Sequence, residues 1–141
     1  MTILTPADVT GPRIVTEAQS AKTRGGLDVL VIDYLGLLRL DDERGGMSPY
    51  ERVTRLSREV KLAAARLGVG VLLLAQLSRL PERREGGDTG PLLSDLRDSG
   101  AIEQDADSVV MIHRKSEEAE GKLLVRKNRN GRLGAVDIVF F

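Results

Sequence analysis

The 141-residue sequence has no cysteine and a single histidine, His113. Disulfides and thiolate metal sites are thereby excluded, and a zinc site has too few ligands. Only four aromatic residues occur, Tyr34, Tyr50, Phe140 and Phe141, which leaves little for a base-stacking platform of the kind found in common RNA- and single-strand-binding folds. The core therefore has to be built from Leu, Val, Ile and Ala. An excess of one charge is missing too: 21 Lys and Arg balance 21 Asp and Glu, so no global field favours nucleic acid or an anionic membrane. No apolar run reaches the length of a membrane span, and the first residues lack a signal-peptide core. These absences predict a soluble, cytoplasmic protein with no membrane partner. The length predicts one domain with a real core.

What is present is organised around Leu27-Asp28-Val29-Leu30-Val31-Ile32-Asp33-Tyr34, a short apolar run opened by Gly25-Gly26 and closed by Asp33. A β-branched run of this length fits a strand buried on both faces of a parallel sheet. Asp33 then stands at the carboxyl end of the strand, where open α/β sheets place their ligands. There it either holds Mg²⁺ on phosphates, as acidic residues do in P-loop nucleoside triphosphatases, or caps a turn. Upstream, the spacing of Pro12, Ile14, Val15, Ala18 and Ala21 predicts a helix of about three turns ended by Gly25-Gly26. Downstream, residues 39–47 are charged and Gly-rich and read as an exposed loop.

Ser48-Pro49-Tyr50-Glu51 is a capping box with proline at the first helical position. Val53, Leu56, Val60, Ala64 and Leu67 continue it as one apolar face, and Gly68 stops it. Val69 to Leu74 reads as a second buried strand, ending in Ala75-Gln76. Strand, helix and strand in this order make a right-handed βαβ unit. Residues 77–100 carry no hydrophobic period and read as a long loop of the functional or mobile kind. Ser108 to His113 is a third strand. Lys122 to Lys127 and Ala135 to Phe140 flank Asn128-Arg129-Asn130-Gly131, a hairpin signal. The expected fold is α/β, a mainly parallel sheet extended by a C-terminal antiparallel hairpin. It is a single domain over 1–141, with a helical segment to about residue 26 and the core from 27.

Three groups of residues could carry chemistry. Gln76 ends the second strand as Asp33 ends the first, so both face one edge of the sheet. An amide there orients a water or touches a terminal phosphate, or is simply a polar residue where strand meets loop. The run Ser94-Asp95-Leu96-Arg97-Asp98-Ser99-Gly100-Ala101-Ile102-Glu103-Gln104-Asp105-Ala106-Asp107 places backbone amides around Gly100 at the start of a short helix, with Arg97 alongside. That arrangement suits a sugar-phosphate backbone and equally a solvated turn. Lys127 and Arg129 lie in a stretch, Lys122 to Arg132, with five basic residues and no acid. Two cations at i and i+2 on a strand share a face. They either reach a neighbour's triphosphate as a finger in trans or discourage edge-to-edge aggregation.

Together, Asp33-Tyr34-Leu35, Ala75-Gln76-Leu77-Ser78-Arg79, the run from Asp95 to Asp107 and Lys127-Asn128-Arg129-Asn130-Gly131 resemble the C-terminal, RecA-like motor domain of bacterial hexameric replicative helicases of the DnaB type. The match extends from about residue 12 to the C-terminus, in order and spacing. By that resemblance Asp33 corresponds to the Walker B aspartate on Mg²⁺ and Gln76 to the glutamine sensing the terminal phosphate of ATP. Arg97, Asp98 and Gly100 fall in the loop that grips single-stranded DNA. Lys127 and Arg129 match the pair that reaches into the next subunit's nucleotide site. Two positions depart from the family pattern: Gly36 stands where glutamine is usual, and Asp98 where glutamate is.

The larger departure is an absence. The phosphate-cradling pattern Gly-x-x-x-x-Gly-Lys-[Ser/Thr] does not occur; its nearest approach, Gly121-Lys122, has Ser116 in place of the first glycine and Leu123 in place of the hydroxyl residue. Nothing matches the segment carrying the family's catalytic glutamate. The chain is expected to begin downstream of both, as the C-terminal half of a motor domain, inactive alone as an ATPase. The implied partners are single-stranded DNA and either copies of itself or an intact helicase ring. The alternatives are a non-catalytic module binding that DNA or ring, and a remnant of a broken gene.

Overall fold

The computed structural model describes residues 9–40, 46–77, 90–96, 100–114 and 118–141. The chain divides into two units, Met1–Gln76 with Asp98–Asp105, and Leu77–Arg97 with Ala106–Phe141.

The first unit begins with helix α1, Gly11–Gly25, closed where the Gly26 N–H donates to the Lys22 carbonyl. Strand β1, Val29–Ile32, follows, then a 3-10 turn, Leu35–Leu37. Helix α2, Pro49–Leu67, has the expected capping box: the Glu51 N–H donates to Ser48 Oγ at 3.2 Å, and the Ser48 N–H to Glu51 Oε2 at 2.8 Å. Gly68 ends the helix in the left-handed region, φ 58°, where a side chain is disfavoured. Strand β2, Gly70–Leu73, runs parallel to β1 with Ile32 opposite Leu73. The βαβ unit is therefore present as the alternation of strand and helix predicts. Helix α3, Gly100–Asp105, completes the unit.

One core serves this unit. Leu30, Ile32, Val71 and Leu73 turn one face of the sheet toward Leu56, which is fully buried, with Val53 and Val60 beside it; Ile14, Leu35, Leu38 and Ile102 close it. The opposite face differs from the expectation of burial on both sides. Val29 and Val31 are 55% and 57% exposed, and Leu72, opposite Val31, is 57% exposed. The physical reason is layering. A continuous apolar run specifies two apolar faces, but each face needs its own covering layer. Among the described residues α2 supplies one, and a groove of about 710 Å³ runs along β1, bordered by α1.

The second unit contains a 3-10 turn, Leu93–Asp95, and strands β3, Ser108–Arg114, β4, Glu120–Asn128, and β5, Gly134–Val139. They form an antiparallel sheet in chain order. The C-terminal hairpin appears as expected, with β3 joined to it. Among the described residues β2 pairs with β1 alone and β3 with β4 alone. Leu96, Val109, Met111 and Leu124 form the core of this unit. A bulge between Val109 and Val110 leaves Arg126 with no residue opposite it in β3, and its Nε donates to the Pro91 carbonyl at 2.8 Å. No helix among the described residues is long and apolar enough to cross a membrane.

Candidate functional site

Asp33 follows β1 by one residue and is exposed. Parallel pairing continues past it, with the Leu74 N–H donating to the Ile32 carbonyl at 2.9 Å and the Leu35 N–H to the Leu74 carbonyl at 3.2 Å. That ladder fixes the chain on either side of the carboxylate. The Asp33–Tyr34 peptide is cis. Gln76, also exposed, lies three residues beyond β2. Because the two strands run parallel in register, Asp33 and Gln76 come to the same, carboxyl end of the pair, as their positions in the sequence predict.

Asp33 and Tyr34 border the groove along β1, with Glu17 and Arg24 of α1 and the aliphatic Val29, Leu30, Val31 and Ile32. No group of three or more acidic, His or Cys side chains placed to hold a metal ion occurs among the described residues. A magnesium ion is commonly held by one or two carboxylates plus phosphates and water, so Asp33 suits the metal side of a Mg²⁺–triphosphate site. An apolar groove with one arginine does not suit the three phosphates. The described residues thus fit one part of such a site and not the whole.

Gly100 is the first residue of α3, the short helix that its place in the sequence predicts. Arg97 and Asp98 lie outside the described residues. The far end of this segment is anchored firmly. Asp105 accepts from the Ser57 hydroxyl at 2.9 Å and pairs with Arg58 at 3.5 Å, while Ile102 enters the core of the unit.

In the second unit Lys127 sits in β4 opposite Val109, and Arg129 is the first residue beyond that strand. The two cations are therefore at i and i+2, one in the strand and one in the turn that ends it. Arg129 is held twice by Asp107: its N–H donates to the Asp107 carbonyl at 2.8 Å, and Nη1 meets Oδ1 at 2.9 Å.

Three acidic residues of the 94–107 run thus have structural partners that the sequence does not announce. Asp95, buried, accepts the Leu92 N–H at 2.7 Å; Asp105 ties α3 to α2; Asp107 holds Arg129. The first follows a local cap signal, since an aspartate three residues along can accept a turn's N–H. The other two depend on partners far away in the chain.

A family model described as "DnaB-like helicase C terminal domain" matches residues 1–141. The chain is 42% identical over 134 residues to "Replicative DNA helicase DnaB" of Leifsonia xyli subsp. xyli, covering 90% of this chain and 28% of that protein. It resembles a solved DnaB-like replicative helicase, described with its interactions with primase, at TM-score 0.84 and 32% identity, covering 96% of this chain and 34% of that one. It also resembles a second solved structure, described as an ATPase domain, at TM-score 0.83 and 32% identity, covering 96% of this chain and 49% of that one. The chain therefore spans under a third of the curated relative's length and about half of that ATPase domain.

Proposed function

Because the chain belongs to the DnaB-like helicase C-terminal domain family, we propose that it is the C-terminal portion of a replicative helicase motor. In this reading residues 1–141 are one partial RecA-like domain acting in the cytoplasm, within a hexameric ring that unwinds duplex DNA. The observation that carries the reading is the convergence of Asp33 and Gln76 at the carboxyl end of the parallel pair, where α/β sheets bind ligands.

Each site residue then has one task. Asp33 holds Mg²⁺ and Gln76 meets the terminal phosphate of ATP. Lys127 and Arg129 reach the nucleotide of a neighbouring subunit. Arg97, Asp98 and Gly100 contact the backbone of single-stranded DNA. The phosphate cradle and the general base come from outside these residues, so the chain alone is inactive as an ATPase. A second reading, favoured by the exposed Arg129 tip on a chain without the cradle motif, is a non-catalytic module that docks on an intact ring or binds single-stranded DNA.

A chimera in which this chain replaces the matching segment of the Leifsonia xyli helicase tests the first reading. The expected result is Mg²⁺-dependent ATP turnover that Asp33→Asn and Gln76→Ala each abolish. Turnover indifferent to both substitutions refutes it. For the DNA contact, Arg97→Ala in the isolated chain should flatten the log–log salt slope of single-strand binding by about 0.7. An unchanged affinity and slope removes that loop from the site.

A further inference from the structure

We infer that Asp107 is a positioning residue for Arg129, fixing where the guanidinium stands at the tip of the β4–β5 hairpin. The inference rests on the reading of Arg129 as a cation directed at a phosphate.

The geometry is specific. Arg129 lies just past the end of β4, and a side chain of this length has many rotamers. Asp107 precedes β3 by one residue, and Ser108 pairs with Asn128. The carbonyl of Asp107 takes the Arg129 N–H at 2.8 Å, which sets the backbone. Its carboxylate then meets Nη1 at 2.9 Å, which sets the side chain. Two contacts from one residue fix both ends of Arg129. A second tether holds the neighbouring residue: the Ser108 hydroxyl donates to Asn128 Oδ1 at 3.2 Å. A Cβ on Gly131 would stand 2.5 Å from Asn128 Nδ2, so that glycine makes room for the amide.

The contact leaves the guanidinium able to act. A guanidinium presents five N–H donors in a planar fork, and the ion pair with Asp107 is made through Nη1. The side chain of Arg129 is 54% exposed, so its remaining edge is open to an oxyanion in the bidentate manner that arginine favours. One carboxylate does not reverse the local sign, because five basic residues lie between Lys122 and Arg132 with no acid among them. An arginine pre-set in this way loses less side-chain freedom when it meets a phosphate.

The test uses the full chain, labelled with ¹⁵N at arginine, and follows the Arg129 side-chain signals by NMR. Wild type should show resolved, slowly exchanging Arg129 Nη–H signals that inorganic triphosphate shifts. Asp107→Asn should lose the resolved signals while the backbone amides of β3, β4 and β5 keep their positions. Asp107→Glu, which keeps the charge, should restore them in part. Arg129 signals that are the same in Asp107→Asn as in wild type overturn the inference. If those signals depend on Asp107 yet triphosphate leaves them unmoved, the positioning role stands and the phosphate-directed reading of Arg129 falls.

Discussion

The bare face of the β1–β2 sheet leads to a comparison of substitutions on its two sides. Val31 and Leu72 are each 57% exposed, whereas Leu56 on the packed side is fully buried. Full burial of such a side chain is worth about 1.5–3 kcal/mol, so Val31 or Leu72, each less than half buried, contributes about 0.6–1.3 kcal/mol. Replacing each by threonine puts a β-branched residue suited to a strand at both positions and should lower stability by about 1 kcal/mol or less. Leu56→Ala removes the full transfer term and leaves a cavity, for a loss of about 2–5 kcal/mol. Against a typical net stability of about 5–15 kcal/mol, that loss is large. Urea unfolding followed by far-UV circular dichroism measures the differences, and sedimentation velocity over a concentration series measures the second consequence. The wild-type chain, with an exposed aliphatic face and a β2 edge that has no partner among the described residues, is expected to self-associate. Val31→Thr with Leu72→Thr should reduce that association without unfolding the chain. If the double variant unfolds as readily as Leu56→Ala, the face is covered in the native protein and the reasoning is wrong. A wild-type chain that sediments as one species at every concentration refutes the association half.

Further expectations concern activity, a helix end and acid. The isolated chain should show no ATP turnover with or without single-stranded DNA; turnover in a contaminant-free preparation that Asp33→Ala removes would overturn this. Gly68→Ala should cost about 1–2 kcal/mol from the left-handed backbone alone, since the added Cβ finds its nearest neighbour, Lys22 Nζ, at 3.6 Å; equal denaturant midpoints for the two proteins would contradict it. The Ser48 hydroxyl and then the Ser48 N–H, both donating to Glu51, hold the Glu51 carboxyl below the ordinary glutamate range. A group whose folded pKa is depressed adds stability above its unfolded pKa and loses it as pH falls through the folded one. The start of α2 should therefore loosen in acid below that range, and Glu51→Gln should flatten this part of the pH profile of amide exchange at residues 49–52. An identical profile in the variant would rule out the linkage.

How much of this was legible in the sequence depends on how local each determinant is. Helix α2 could be read to its ends because Ser48, Pro49, Glu51 and Gly68 are all within or next to it. The convergence of Asp33 and Gln76 could be read because two parallel strands joined by a helix have only one way to align their carboxyl ends. The exposure of Val29 and Val31 could not, since an apolar strand does not state what covers it. The bulge at Arg126 has no glycine or proline to mark it, and only the pairing of β4 with Val109 and Val110 reveals it. Asp105 and Asp107 look like solvated charge in the sequence because their partners, Ser57 and Arg129, are brought to them by tertiary structure.

The two sheets also differ in when they can form. Among the described residues strands β3, β4 and β5 pair only with sequence neighbours, so their loops close over short stretches and hairpins of this kind assemble in about 1–10 μs. The β1–β2 pair is different: its register joins Val29 to Gly70, and nothing hydrogen-bonds between the strands until the intervening chain has folded back. Low contact order speeds folding and long closures slow it. The C-terminal meander should therefore be an early folding nucleus, and the β1–β2 pair, which carries Asp33 and Gln76 at its end, a late one. Pulsed hydrogen exchange during refolding should find the amides of Leu123, Leu124 and Val125 protected before those of Leu30 and Leu72. Simultaneous protection of both sets would mean that the chain folds as one cooperative unit. On the expected order, an early folding intermediate would already carry the Arg129 hairpin while the carboxylate end of the sheet was still unformed.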